Sequence, residues 1–253
     1  MERCIDCLMC DTKPGVVLDE QNVCQACLHH EQRKDIDYEA RQGELRSLCA
    51  GHKKSDGYDC IIPVSGGKDS HFQVLYMKKV LGMNPLLVSV SDPYTKTKAG
   101  IKNFNNIREH FGCDLVQLHL NPELVRRMTR IAFEEFGSPT WPIDRAIYCY
   151  PIKVSIDMNI PLVVYGENVS YEYGGVQNKE TYSAAAQINN DVAKSFDRQW
   201  WMDRGISMQE FTPFVYPEGE TEPIYLSYFM PWSGYENYQI AKEHGFTTLK
   251  GEG

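Results

Sequence analysis

Long apolar runs are absent from this 253-residue chain, and none approaches the roughly 20 residues that a membrane-spanning helix needs. The first ten residues, "MERCIDCLMC", also lack the apolar core of a secretory signal peptide. Internal repeats and low-complexity segments are missing as well, and 42% hydrophobic with 24% charged residues is an ordinary composition for a folded protein. These features predict a cytoplasmic protein without a membrane partner.

Positive charge is in deficit, because 26 lysines and arginines face 34 aspartates and glutamates, for a net charge of -8. An acidic surface repels phosphate backbones, so this balance argues against a large nucleic-acid interface. A local basic patch remains compatible with it. The oligomeric state is left open by the sequence, a homo-oligomer included.

Nine cysteines are many for such a chain, and in a reducing cytoplasm they favour metal ligation over disulfides. Cys4 and Cys7 form one CxxC pair, Cys24 and Cys27 form another, and sixteen residues separate the pairs. This spacing predicts a structural zinc site with four thiolates. An iron–sulfur centre or a redox-active pair is the alternative. Cys10 makes a second CxxC with Cys7, which leaves the first pair ambiguous.

The chain divides into three zones: a zinc ribbon over residues 1–33, a helical linker over 34–57 and a larger domain over 58–253. In the larger domain, short and nearly all-apolar runs alternate with helical patterns, which predicts strands buried on both faces. Repeated β-α units then imply an α/β fold with a doubly wound, Rossmann-like parallel sheet. The predicted strands are residues 59–64, 85–91, 114–120 and 161–166, and the predicted helices include residues 70–81, 99–111 and 143–158. Gly112 is placed to end helix 99–111, and after strand 114–120 Asn121 can cap a helix that Pro122 starts.

The segment "SGGKDS", Ser65–Ser70, lies between the first predicted strand and helix 70–81. Gly66 and Gly67 permit positive φ and let backbone N–H groups approach an anion. Lys68 supplies a cation, and Asp69 supplies a carboxylate that could hold Mg²⁺. This composition predicts a phosphate-binding loop.

The two serines of this loop have predicted roles too. Ser65 adds a hydroxyl donor, and Ser70 is placed to cap the helix, whose N-terminus favours phosphate. The common nucleoside-triphosphate P-loop is excluded, because Ile62 stands where that motif has glycine and Asp69 where it has Ser or Thr. The simpler alternative is a glycine turn with a helix cap. In helix 70–81, one face carries Phe72, Leu75, Tyr76 and Val80.

"SGGKDS" resembles the PP-loop of the ATP pyrophosphatase superfamily. The resemblance implies that the loop grips the β- and γ-phosphates of ATP, which is cleaved between its α- and β-phosphates. AMP would pass to an oxygen of the substrate, and pyrophosphate would leave. In open α/β sheets the nucleotide lies at the carboxyl ends of the strands. Fold position therefore adds Val90, Ser91 and Gly166 to the expected ATP contacts of Ser65, Gly66, Gly67, Lys68, Asp69 and Ser70.

Five longer segments together resemble the bacterial N-acetyl sugar amidotransferases of lipopolysaccharide O-antigen and of flagellar pseudaminic or legionaminic acid pathways. They are "CLMCDTKPGVVLDEQNVCQAC", "VSGGKDS", "DPYTKTKAG", "FGSPTWPIDRAIYCYPIK" and "VVYGENVSYEYGG". The resemblance implies that ATP activates the acetamido oxygen of a nucleotide-activated sugar and that ammonia replaces it, giving an acetamidino group. A separate glutaminase subunit would supply the ammonia, which fits the lack of an evident glutaminase triad.

This second resemblance has two departures. Cys10 stands where the family more usually has proline, and the chain stops at Gly253 whereas such proteins commonly run further. We therefore expect part of the substrate or partner surface to be absent.

The same resemblance implies roles for individual side chains. Glu167 joins Lys68 and Asp69 as a catalytic candidate. The candidates for contact with the sugar or its nucleotide are Asn168, Tyr171, Glu172, Tyr173, Arg145 and Lys153, together with Lys96 and Lys98. The simpler alternatives are a tyrosine-rich surface turn for residues 166–175 and solvated positions for the basic residues.

A tRNA thiolation enzyme is the competing function, because such enzymes join a zinc ribbon to a PP-loop. They typically carry further paired catalytic cysteines and a basic surface, and this chain has neither. Cys49, Cys60, Cys113 and Cys149 are each expected to be small buried side chains, and Cys149 is the thiol that a persulfide carrier would need. A non-enzymatic zinc scaffold is a third possibility.

Overall fold

The computed structural model describes residues 1–12, 16–94, 96–168, 171–172, 181–185 and 197–249. Its centre is a five-stranded sheet in the order β3-β2-β1-β4-β5, and every pairing between neighbouring strands is parallel. The predicted α/β class with a doubly wound parallel sheet is confirmed. The strands are β1 (Cys60–Pro63), β2 (Pro85–Ser91), β3 (Leu115–His119), β4 (Leu162–Tyr165) and β5 (Glu222–Tyr225).

The sheet is buried on both faces because alternate residues of each central strand point to opposite sides. Ile62 and Leu87 are register partners in one face, and Ile61 pairs with Leu86 and Val163 in the other. All five side chains are at most 2% exposed. This two-sided burial explains why the strand sequences read as continuous apolar runs.

Helices cover both faces of this sheet. The core on the Ile62 face contains side chains from helices before, between and after the strands: α2 (Tyr38–His52), α3 (Lys68–Leu75), α4 (Lys98–Phe111) and α9 (Leu226–Phe229). The final helix, α10 (Gly234–Glu243), packs on α3. On the Ile61 face lies α6 (Trp141–Asp157), which is joined by an aromatic cluster to α5 (Pro122–Phe136), α7 (Arg198–Met202) and α8 (Met208–Phe211).

Two predicted helix boundaries are confirmed in detail. Asn121 caps α5 by accepting the Glu123 N–H at 3.0 Å, with Pro122 in the first turn. Gly112 ends α4 with φ of +60°, a left-handed conformation that favours glycine.

Helix α3 differs from the helix that the sequence predicts over residues 70–81. It begins at Lys68 rather than Ser70, Gly67 occupies the capping position without a side-chain hydrogen bond, and a π-helical turn follows over Tyr76–Val80. The predicted capping role of Ser70 is wrong, because its hydroxyl accepts the Ser65 N–H instead, at 3.1 Å.

The cysteine-rich N-terminus is a small ribbon with its own core. Antiparallel bridges join Arg3 to Cys10 and Leu18 to Cys24, and helix α1 (Gln25–Gln32) follows. The predicted linker contains α2, whose Leu45 is fully buried in the main core. That helix is therefore packed as part of the larger domain. Within the described residues, no helix is both long enough and apolar enough to span a bilayer.

Candidate nucleotide site and metal centre

The strand order reverses between β1 and β4, and ligands of open α/β sheets bind at the carboxyl ends of the strands at such a point. A cleft of about 170 Å³ opens there. Its floor and walls come from three sources, namely strand ends (Pro63, Val64, Val88, Ser89, Val90 and Tyr165), the Ser65–Ser70 loop (Ser65 and Ser70) and α6 (Ile147, Tyr148 and Pro151).

Gly66 is required by the path of the loop. Its φ is +83°, and a Cβ at this position would lie 2.9 Å from the Cα of Phe104 in α4. Both the backbone conformation and the close approach of α4 therefore exclude a larger residue. Gly67 has an ordinary φ of -72°, so its backbone conformation alone does not demand glycine.

Internal hydrogen bonds hold the loop closed at the cleft. Ser65 Oγ accepts the Gly67 N–H at 3.3 Å, and it lies 3.4 Å from Ser70 Oγ. Because Gly67 brings no capping side chain, the first-turn N–H groups of α3 are left for an external acceptor, as at other anion-binding helix N-termini.

Lys68 and Asp69 form an ion pair at the mouth of this loop, with 2.6 Å between Lys68 Nζ and Asp69 Oδ2. Asn237 of α10 donates its side-chain amide to Asp69 Oδ1 at 2.9 Å. Both carboxylate oxygens are thus oriented, and each keeps a further lone pair. Since Mg²⁺ is usually held by one or two carboxylates plus substrate phosphates, Asp69 fits a magnesium-nucleotide site.

The last two residues of β2 have different surroundings. Val90 lines the cleft, whereas the hydroxyl of Ser91 accepts a hydrogen bond from Lys96 Nζ at 3.2 Å. Lys96 also lies over the ring of Phe104, 5.6 Å from its centroid. The lysine predicted to contact a ligand is therefore anchored beside the loop.

Gly166, directly after β4, lies in a crowded position. A Cβ there would be 3.0 Å from Gln73 Nε2 and 3.1 Å from the indole of Trp232. Its carbonyl accepts the Ser227 N–H at 2.9 Å. Packing against protein side chains therefore already accounts for glycine at this strand end.

Asn168, two residues after Gly166, is 9% exposed. Its Oδ1 accepts the Tyr171 N–H at 3.0 Å, its carbonyl accepts the Glu172 N–H at 2.9 Å, and its own N–H donates to Ser227 Oγ at 3.0 Å. Asn168 thus holds Tyr171 and Glu172 to Ser227. Tyr173, the remaining predicted member, lies outside the described residues.

Tyr171 and Glu172 contact the ribbon's helix. The Tyr171 ring stacks on His29 with 4.6 Å between centroids, and its hydroxyl donates to the His29 carbonyl at 3.2 Å. Arg33, just past α1, forms an ion pair with Glu172, and these two side chains are only 18% and 15% exposed. Residues predicted to meet a substrate therefore join the ribbon to the loop after β4.

The two basic candidates on α6 are placed differently. Arg145 is 5% exposed and donates Nε to the Phe214 carbonyl at 2.9 Å. Lys153 lies on the exposed side and pairs with Asp157 at 3.0 Å. It is five residues beyond the cleft-lining Tyr148, about 7.5 Å along the helix axis.

Tyr148, which lines the cleft, and Asp144 one helical turn before it were not identified from the sequence. Burial foremost, and then the charges of Asp144 and Glu167, raise the pKa of Tyr148 to about 12. Burial also raises the pKa of Asp144, although a hydrogen bond from Thr140 acts in the opposite direction. The charges of Asp144 and Glu167 thus both act on the cleft-lining tyrosine. The only local signal was the helical spacing of Asp144 and Tyr148 in "TWPIDRAIY".

The four predicted metal ligands come together. The thiol sulfurs of Cys4, Cys7, Cys24 and Cys27 all lie within 4.8 Å of one another, with 3.8 Å between Cys4 and Cys27 and 3.5 Å between Cys7 and Cys24. A tetrahedral Zn²⁺ with bonds of about 2.3 Å separates its sulfurs by about 3.8 Å, so the cluster could hold zinc. Cys10 is outside this cluster and approaches the Leu8 carbonyl.

The electrostatics of these thiols also fit a bound cation. Burial raises the pKa of Cys4, but N–H donors from Cys7, Cys24 and Asp6 outweigh it and lower the value to about 6. For Cys24 and Cys27, burial and neighbouring thiols raise the pKa. Several acidic groups at this spacing are compatible as thiolates only when a cation balances them.

The remaining cysteines are buried, as expected. Cys149 is 1% exposed, lies near the Phe214 carbonyl at 3.6 Å, and has a pKa raised to about 11 by burial. Burial likewise raises the pKa of Cys49, Cys60 and Cys113. A buried thiol with a raised pKa is a poor nucleophile at neutral pH.

Comparisons with known proteins give distant relatives. No protein-family model matches the chain. An uncharacterized protein of Methanocaldococcus jannaschii is 30% identical over 167 residues, covering 66% of this chain. The chain spans 58% of that protein's length.

Among the solved structures that match at low identity are the following three. A predicted subunit of tRNA methyltransferase from Methanocaldococcus jannaschii is 14% identical with a TM-score of 0.39, covering 73% of this chain and 74% of that one. An NH3-dependent NAD synthetase from Campylobacter jejuni is 10% identical, with a TM-score of 0.37 and coverages of 73% and 99%. An NMN synthetase from Francisella tularensis is 9% identical, with a TM-score of 0.38 and coverages of 86% and 100%.

Proposed function

We propose that this protein is an ATP-dependent amidotransferase that converts the acetamido group of a nucleotide-activated N-acetyl sugar into an acetamidino group. The observation that carries the proposal is the position of the Ser65–Ser70 loop, with the oriented Lys68–Asp69 pair, beside a cleft at the strand-order reversal. The sugar substrate, and a role in surface glycans such as O-antigen, rest on the sequence resemblance.

The first step is adenylation. The acetamido oxygen attacks the α-phosphorus of ATP, the bond from that phosphorus to the bridging β-phosphate oxygen breaks, and pyrophosphate leaves. Ser65, Gly66, Gly67 and Ser70 would hold the phosphates with hydroxyl and N–H donors, and Lys68 would offset their charge. Asp69 would hold Mg²⁺, which neutralises phosphate charge when bound.

The second step replaces the activated oxygen. Ammonia, supplied by a glutaminase partner, attacks the acetamido carbon, and AMP departs with the original oxygen. The nitrogen loses protons as the C–O bond breaks, so the products are the amidine, AMP and pyrophosphate. Glu167, whose charge contributes to the raised pKa of Tyr148, would accept a proton at the edge of the cleft.

The other proposed contacts have unequal support. Val90 lines the cleft. Ser91 is the last residue of β2, and Gly166 directly follows β4. Asn168, Tyr171 and Glu172 would shape the sugar site through the loop they stabilise, and Tyr173 stays a candidate. Contacts from Arg145 and Lys153 are the weakest part, because Arg145 is buried and Lys153 lies away from the cleft. The four clustered cysteines would hold a structural zinc ion.

Burial of Cys149 argues against tRNA thiolation. A persulfide carrier must expose a thiol of low pKa, and this one is buried with its pKa raised to about 11. The amidotransferase assignment needs no protein thiol in the reaction, so it accounts better for the placement of the cysteines.

The test is a turnover assay with ATP, magnesium, ammonium and UDP- or CMP-linked N-acetyl sugars, with products weighed by mass spectrometry. A sugar whose acetamido oxygen carries a heavy-isotope label tests this path, because the oxygen that bonds to phosphorus in the first step leaves with AMP in the second. We expect an amidine product and labelled AMP. Turnover to AMP without label transfer, or no amidine from any candidate sugar, would contradict the proposal.

Asp69→Ala is the key variant for this assay, and we expect it to abolish AMP formation while the protein stays folded. Asp69 is one-third exposed, so its loss removes little packing. Asp157→Ala is the matched control, since that carboxylate is exposed and pairs only with Lys153 among the contacts described. If Asp69→Ala still forms AMP, the assignment of Asp69 as the magnesium ligand is wrong.

A further inference from the structure

His71, the first residue after "SGGKDS", is a fully buried titratable side chain that the proposed reaction does not use. Its Nδ1 lies 2.9 Å from the Gly67 carbonyl oxygen, which also accepts the His71 main-chain N–H at 3.2 Å. On the other edge of the ring, Nε2 lies 3.2 Å from the side-chain nitrogen of Asn106. We propose that His71 is a positioning residue that fixes the direction of the phosphate-loop amides, and that Asn106 selects the tautomer it needs.

The partners allow a single protonation state. A carbonyl oxygen only accepts, so Nδ1 must carry the proton. An amide nitrogen only donates, so Nε2 must be unprotonated. The Asn106 side chain is itself oriented, because the same nitrogen donates to the His244 carbonyl at 2.8 Å. The ring is therefore the neutral Nδ1–H tautomer. Burial lowers the pKa of this ring, which also favours the neutral form.

This hydrogen bond acts on the peptide group that joins the loop to α3, whose carbonyl is also held by the His71 main-chain N–H. In a trans peptide the C=O and the following N–H point in opposite directions, and no described peptide bond is cis. When His71 holds the Gly67 carbonyl inward, the Lys68 N–H must point outward, to the mouth of the loop. Gly66 and Gly67 adopt many conformations on their own, so the side-chain bond adds to the main-chain bond in fixing this direction.

The residues around His71 keep the ring in place. Phe246 packs edge-on against it with 5.3 Å between centroids, and Phe111 does so at 6.3 Å. Asn103 of α4 exchanges hydrogen bonds with Thr247, from the Thr247 N–H at 2.8 Å and to its carbonyl at 2.8 Å. The segment after α10 thus closes over the histidine.

The inference rests on the proposed phosphate site, but its first readout needs no ligand. In the wild-type protein, nitrogen-15 NMR of the His71 ring should show the neutral Nδ1–H tautomer at neutral pH. An Nε2–H tautomer or an imidazolium would overturn the proposal, whether or not the protein binds ATP.

Two variants then test the positioning role. His71→Asn keeps an N–H donor where Nδ1 stands, and His71→Leu removes it at similar volume. With the α,β-methylene analogue of ATP and magnesium in a calorimeter, we expect His71→Leu to bind about tenfold more weakly and His71→Asn to stay within about threefold of wild type. The Lys68 amide resonance should move in His71→Leu and return in His71→Asn.

The outcomes separate the two proposals. Failure of the wild-type protein to bind the analogue contradicts the proposed function, while the tautomer and the Lys68 resonance still report on His71. Equal binding by wild type and His71→Leu, or an unmoved Lys68 resonance, would overturn the positioning role. If His71→Leu does not fold, Asn106→Leu serves instead, since it frees Nε2 and should shift the tautomer.

Discussion

Asn237 donates a hydrogen bond of 2.9 Å to Asp69 although 168 positions separate them in sequence. The amide belongs to a residue only 2% exposed on α10, and the carboxylate lies at the mouth of the Ser65–Ser70 loop. The final helix therefore orients the carboxylate to which we assign magnesium.

Replacing Asn237 by Leu should lower the rate of AMP formation by about tenfold, because Asp69 Oδ1 loses the donor that orients it. The measurement is steady-state AMP release. Tyr235→Ala is the control on the same helix, since Tyr235 is 72% exposed and should be neutral. An unchanged rate in Asn237→Leu would show that Asp69 needs no orientation from α10.

The metal site predicts different results for two neighbouring cysteines. Cys7→Ser should lose bound zinc, because its sulfur belongs to the four-thiol cluster, whereas Cys10→Ser should retain it. Elemental analysis of purified protein gives the stoichiometry. Loss of zinc from both variants, or from neither, would contradict the ligand assignment.

His71 predicts a defined pH dependence of stability. Burial foremost lowers its folded pKa below the unfolded value of about 6.5, so its contribution is fully present above about pH 6.5. The contribution is lost as the pH falls below that value, because the unfolded chain then binds the proton first. His110 and His244 also influence this ring, and both remain in His71→Asn.

The measurement is the unfolding free energy of wild type minus that of His71→Asn from about pH 7.5 to about pH 5. We expect this difference to shrink as the pH falls. A difference that grows would show that the ring is charged in the folded protein, and a constant one would show that folding does not lower its pKa.

Arg33 and Glu172 should be coupled energetically. Their ion pair is largely shielded from water, whereas the Lys34–Glu31 pair on the same segment is exposed. Double-mutant cycles of unfolding should give about 1–3 kcal/mol for the shielded pair and a clearly smaller coupling for the exposed one. Equal couplings would mean that the ribbon does not dock on the loop in solution.

Much of the fold could be predicted because it depends on local signals. The strand 85–91 is predicted residue for residue, since a run of buried apolar side chains suffices to define it. Asn121 and Gly112 mark helix boundaries through their own side-chain and backbone chemistry. The four thiols are equally local, because two CxxC turns set their spacing.

The failures come from burial imposed by distant segments. The apolar face predicted for the helix over residues 70–81 includes Val80, which is 50% exposed. His71, Val74 and Met77, on another face of the same helix, are fully buried. Val74 and Met77 belong to the core that includes the sheet, and Phe246 from the segment after α10 packs against His71; no local periodicity reveals these contacts. β5, which comes after the last predicted strand, begins with a charged residue and a proline in the sequence EPIY, so it lacks the apolar run that marks the other strands.

The contact of the ribbon with Tyr171 and Glu172 also bears on the order of folding steps during synthesis. All four thiols belong to the first 27 residues, so the metal site can close soon after the chain leaves the ribosome. Its docking partners, Tyr171 and Glu172, emerge some 140 positions after His29 and Arg33. Because domains fold as units from the N-terminus during synthesis, metal loading can come first and attachment to the sheet much later.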